Sequence, residues 1–149
     1  MKASHLKLLL NFYPPYLGAG VKVKHLSSEY TKATVEMKLR WWNQNYLKTH
    51  FGGSLYSMID PFYVLMFIHL LGPDYIVWDK EATIKFRRPG KSTMRAEFEV
   101  SDEEIEEIKK KLETQEKLDF IKKVEIKNEK GKLIAEVDKV LYFARKDKK

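Results

Sequence analysis

One stretch constrains the fold of this chain more than any other. Ser54 to Leu71 is almost wholly apolar, close to the length of a membrane span, about 20 residues. Yet it contains Asp60, Pro61 and His69, and a carboxylate at mid-bilayer is expensive. It also lies between strand-like segments that need a core. The stretch therefore reads as a helix buried in protein, with no membrane as partner. A helix too hydrophobic to be half exposed has to be wrapped by a sheet.

The flanking pattern supplies that sheet. His5 to Tyr13 has helical character and stops at Pro14-Pro15, giving an N-terminal helix over 1–16. Gly18 and Gly20 mark a turn. Val21 and Val23, then Ala33, Val35, Met37 and Leu39, alternate with polar residues, the period of half-buried strands. Ser27 to Glu29 turns between them. Gly72-Pro73 ends the apolar helix. Tyr75 to Phe86 and Thr93 to Val100 read as strands around a turn at Pro89-Gly90. Ser101 and Glu104 form a capping box, with Ile105, Ile108 and Leu112 on one face of a surface helix over 101–118. Phe120–Lys127 and Leu133–Phe143 are strands around Gly131, and 144–149 is a basic tail. The expected class is α+β: an antiparallel sheet of about six strands around a long central apolar helix, the hotdog fold.

At 149 residues the chain suits one domain, 1–149. It has no cysteine, which excludes disulfides, cysteine-ligated zinc, iron–sulfur clusters and a thiol nucleophile. That fits a cytoplasmic location. The net charge of +7 attracts polyanions: nucleic acid, an anionic membrane or a phosphorylated molecule such as coenzyme A. Part of that excess is Arg145, Lys146, Lys148 and Lys149, and the rest also reads as a solubility feature. No nucleic-acid motif is present, so no nucleic-acid partner is expected. Histidines and carboxylates do not fall at metal-ligand spacing, so no metal is expected. Neither a Gly-x-Ser-x-Gly elbow nor a phosphate-cradling glycine loop occurs.

The run from Asn45 through His50, Gly52 and Gly53 to Asp60 resembles the motif of hotdog thioesterases of the phenylacetate-pathway and 4-hydroxybenzoyl-CoA type. In those enzymes an Asn precedes a His-Gly-Gly turn, the glycines open the central helix, and an acid follows inside it. Asn45 and Asp60 match in their spacing to the glycines. A second patch, Ile84 to Gly90 followed by Met94 to Val100, is similar to the central strand, proline turn and next strand of the family. Phe51 separates His50 from Gly52, so the triplet is interrupted. That form looks like a hotdog subfamily known as a domain of uncharacterised function.

The resemblance implies hydrolysis of an acyl-CoA thioester, with coenzyme A as part of the substrate and no separate cofactor. It implies Asp60 as base or nucleophile, supplied by one subunit to the glycine turn of its neighbour, with Asn45 and His50 as further catalytic residues. It also implies a homodimer, or a dimer of dimers, joined through the strand carrying Thr83 and Lys85. The Gly53 N–H, with Ser54 and Gly52 beside it, suits an oxyanion at a helix N-terminus; equally, the glycines suit a tight turn into a buried helix. Asp60 before Pro61 equally suits a cap that restarts a kinked helix. Arg87, Arg88 and Lys91 suit coenzyme A phosphates or a solvated turn. Trp41, Trp42 and Tyr46 suit an acyl pocket or a subunit interface. An alternative function for the whole chain is acyl-CoA or lipid binding without turnover.

Overall fold

In a computed structural model, which describes residues 1–146, the alternating segments become six strands. They are β1 (Val21–Leu26), β2 (Lys32–Met37), β3 (Tyr75–Phe86), β4 (Met94–Glu99), β5 (Lys117–Lys127) and β6 (Leu133–Arg145). They form one sheet in the order β1-β2-β4-β5-β6-β3, and every pairing is antiparallel. Five helices accompany them: α1 (Ala3–Asn11), α2 (Pro14–Ala19), α3 (Gly52–Ser57), α4 (Phe62–Leu71) and α5 (Asp102–Thr114).

The apolar stretch packs against the sheet, in the hotdog architecture. Phe62, Met66 and Phe67 of α4 are fully buried among Val35, Phe98, Ile126, Leu141 and Phe143 of the strands. Phe67 meets Phe143 edge to face with centroids 5.0 Å apart, and Phe62 lies 5.0 Å from Phe98. Each such ring removed from water contributes about 1.5–3 kcal/mol. The capping box forms as expected: Ser101 accepts from the Glu104 N–H, and the Glu104 carboxylate accepts from the Ser101 N–H. Ile105, Ile108 and Leu112 bury the inner face of α5.

Several boundaries differ from the expected ones. Pro14 and Pro15 do not end an N-terminal helix spanning 1–16; they open α2, because proline fits the first turn, where an N–H has no helical partner. The surface helix stops at Thr114, and β5 begins at Lys117, since Leu118 and Phe120 continue the inward alternation of that strand. Ala144 and Arg145 belong to β6, not to a tail; Lys148 and Lys149 lie outside the described residues. The central helix is not continuous. It is interrupted between Ser57 and Phe62, around a cis Asp60–Pro61 bond.

The two sheet edges are treated differently. At β1 the Asn11 side chain donates to the Val23 carbonyl at 3.1 Å and accepts from the Val23 N–H at 2.8 Å, so one amide stands in for a neighbouring strand. The β1 ladder is also irregular between Val23 and His25. At the other edge β3 pairs with β6 alone. Its ladder shifts between Asp79 and Glu81, a bulge at Lys80. Val77 and Asp79 turn inward before the bulge, and Ala82 and Ile84 do so after it.

Candidate active site

The segment from Arg40 to Phe51 is held by asparagines. Asn43 is buried; it donates to the Ala19 and Lys38 carbonyls and accepts from the Arg40 N–H. Asn45 accepts from the N–H groups of Leu47 and Thr49 and donates to the Thr49 hydroxyl at 2.9 Å. Asn45 thus shapes the loop that delivers the chain to α3. His50 is buried beside Gly90, its Nε2 2.7 Å from the Ser92 carbonyl. A carbonyl can only accept, so Nε2 carries the proton and Nδ1 is the bare acceptor. That Nδ1 is buried with no partner. Burial lowers the His50 pKa, and the hydrogen bond to Ser92 opposes it. The ring is therefore neutral near pH 7 and has an acceptor, not a second donor, to offer.

Asn45, His50 and Gly52 line a groove of about 540 Å³ together with Arg87, Arg88 and Lys91. Six of the residues singled out in the sequence meet there; Gly53, Ser54 and Asp60 are not among its walls. Arg87 pairs with Glu136, Arg88 donates to the Leu133 carbonyl at 3.0 Å, and Lys91 has no ion-pair partner among the described residues. No side chain caps α3. Gly53 is exposed, and Ser54 is buried. A Cβ on Gly53 would come within 2.5 Å of the Phe51 ring, and one on Gly52 within 3.1 Å of Phe86. The residue that interrupts the His-Gly-Gly triplet therefore lies over the second glycine. Trp41 and Tyr46 are strongly exposed and stand away from the groove.

Asp60 does not cap α4; the residue at that cap is Pro61, and no side-chain hydrogen bond is made there. Its carbonyl accepts from the Tyr16 hydroxyl. Its half-exposed carboxylate faces Lys139, with Oδ1 3.4 Å from Nζ. Lys139 is almost fully buried, and its ammonium also reaches Asp79 at 2.9 Å and the Tyr56 hydroxyl at 3.3 Å. Desolvation pulls the Lys139 pKa down, but the hydrogen bond and charge of Asp79, with help from Tyr56 and Asp60, raise it overall. The Asp79 carboxyl is raised as well: burial first, then the neighbouring Asp60, pushes it up to about 6 against the pull of Lys139.

Lys139, Asp79 and Tyr56 were not singled out from the sequence, although the strands carried a signal. Lys139 stands in phase with Val137, Leu141 and Phe143, and Asp79 with Val77. A charge in the inward phase of a strand marks a buried polar site.

The family described as Domain of unknown function (DUF4442) matches residues 2–143. No curated protein matches the chain. Among solved structures, a protein of unknown function from Pseudomonas aeruginosa is similar with a TM-score of 0.82, 18% identity and 96% of each chain covered. A thioesterase from Haemophilus influenzae has a TM-score of 0.69 at 12% identity, covering 97% of this chain and 92% of that one. The PaaI protein of the E. coli phenylacetic acid degradation operon has a TM-score of 0.65 at 19% identity, covering 97% and 91%. These likenesses carry the hotdog fold.

Proposed function

We propose, from the premise that this chain belongs to the DUF4442 family, that it hydrolyses an acyl-CoA thioester as a homodimer or dimer of dimers. The observation that carries this reading is the groove that Asn45, His50 and Gly52 line together with Arg87, Arg88 and Lys91. It brings basic residues into one groove with the turn that opens an uncapped helix. The coenzyme A phosphates lie along Lys91 and the two arginines. The thioester oxygen lies at the Gly53 N–H, beside Gly52 and Ser54, once the Phe51 ring swings aside.

Asp60 is outside its own protomer's groove and lies close to β3, the open edge, through Asp79. Pairing two copies along β3 brings the Asp60 of one to the glycine turn of the other. As base, Asp60 takes a proton from water while the water oxygen bonds to the carbonyl carbon. The C–S bond then breaks, and the thiolate leaves and takes up a proton. As nucleophile, its carboxylate bonds to that carbon instead, and water later cleaves the anhydride.

Release of free coenzyme A from short, long and aromatic acyl-CoAs tests this. Turnover by the wild type, lost by at least about a hundredfold in folded Asp60→Ala, is the expected result. An Asp60→Ala protein as active as the wild type removes the mechanism. A second reading, binding without turnover, is favoured by the Phe51 ring over Gly53. It predicts thermal stabilisation by acyl-CoA with no coenzyme A released.

A further inference from the structure

The ammonium of Lys139 occupies a core position of β6 and has three polar partners, each from a different element. Tyr56 comes from α3, Asp60 from the interruption between α3 and α4, and Asp79 from β3 beside its bulge. Val137 and Leu141, its in-phase neighbours, are fully buried. A lysine in such a place is stable only if its charge is paired and hydrogen-bonded. The pairing is asymmetric. Asp79 is nearer and deeper, with one carboxylate oxygen buried without a partner, whereas Asp60 is farther and half exposed. Both carboxylates reach the one ammonium, and the nearby Asp60 helps to raise the Asp79 carboxyl. Tyr16 adds a fourth group from α2, its hydroxyl on the Asp60 carbonyl.

We propose that Asp79 and Lys139 are a positioning pair for Asp60: Asp79 takes the larger share of the ammonium's charge, so that Lys139 orients the Asp60 carboxylate at the helix interruption without locking it. The inference rests on the reading of Asp60 as base or nucleophile. While Asp79 is ionised, it shares the ammonium and leaves Asp60 free to act. When Asp79 takes a proton, the whole charge of Lys139 falls on Asp60 and restrains it. Turnover therefore rises with pH through the titration of Asp79, which burial and Asp60 push up to about 6.

The test uses the full chain and two readouts. Asp79→Asn fixes the restrained state: kcat for coenzyme A release falls about tenfold to a hundredfold, KM changes little, and the rise near pH 6 disappears. Should that variant not fold, Lys139→Met combined with Asp79→Leu removes both charges and is expected to show the same loss of the rise. An unchanged pH profile in a folded variant overturns the proposal.

The second readout does not need turnover. The side-chain carboxyl of Asp79 is titrated by carbon NMR in the wild type and in Asp60→Asn. Its midpoint is expected to drop from about 6 toward the ordinary carboxylate range when Asp60 is neutralised. An Asp79 midpoint indifferent to Asp60 overturns the pairing. A wild type that releases no coenzyme A, with Asp79 still coupled to Asp60, defeats the thioesterase reading and leaves the pair standing.

Discussion

At one edge of the sheet the Asn11 amide satisfies both backbone groups of Val23, while at the other edge the twelve residues of β3 have β6 on one side and no strand on the other. Both edges contain an irregularity, between Val23 and His25 in β1 and at Lys80 in β3. They differ in what stands behind them. Behind β1 are helices and a neutral side chain that does not titrate. Behind β3 is a buried lysine with two carboxylates, and along it are the exposed rings of Trp78 and Phe86. An unpaired strand with apolar rings on it invites another strand. This fold thus satisfies the β1 edge with a side chain and leaves open the β3 edge, whose Asp79 shares an ammonium with the candidate catalytic carboxylate.

The largest expected effect breaks the open edge. Thr83→Glu with Lys85→Glu places like charges opposite each other in a two-fold strand pair, which is destabilising. Sedimentation is expected to show monomers, and coenzyme A release to fall by at least about a hundredfold, since Asp60 and the glycine turn are then separated. A dimer that survives both substitutions uses another surface.

A smaller effect sharpens the contrast between an edge backed by a buried carboxyl and one backed by a neutral amide. The Asp79 carboxyl is raised to about 6 in the folded chain. Between the ordinary carboxylate range and that value, the native state holds a proton that the unfolded chain has already shed. The stability tied to its neutral form is complete below the unfolded value and is lost as pH rises through about 6. Urea denaturation from about pH 4 to about pH 7 is expected to show wild type losing up to about 3 kcal/mol relative to Asp79→Asn. A constant difference across that range contradicts the raised carboxyl. The smallest effect belongs to the closed edge. Asn11→Ala leaves a donor and an acceptor of Val23 unpaired, a cost of about 1–2 kcal/mol that urea titration is expected to find unchanged with pH.

Much of this architecture could be read from residue order. Alternation through Val21 to Met37 and Met94 to Phe98 placed strands where they form, and Ser101 with Glu104 announced α5. The groove residues too were visible as a motif and a basic turn. What escaped was set by tertiary contact. Asp60-Pro61 is compatible with a helix restart capped by Asp60, and only the nearness of Lys139 shows why the carboxylate turns elsewhere. Pro14-Pro15 can stop one helix or start another, and packing decides between them; here Tyr16 is buried against Phe62 and a helix proceeds. Asp79 and Lys139 are about sixty residues apart along the chain, and no local pattern joins them.

That separation has a consequence for how the protein is made. β3 hydrogen-bonds only to β6, the last of the six strands along the chain. During synthesis β3 leaves the ribosome well before its partner, with Asp79 and Asp60 still without their lysine. The edge proposed to recognise a second copy cannot be set in its final register until β6 has emerged. Unfinished chains thus lack the finished edge that the proposed pairing needs, and the pairing of the buried lysine waits on completion of the fold.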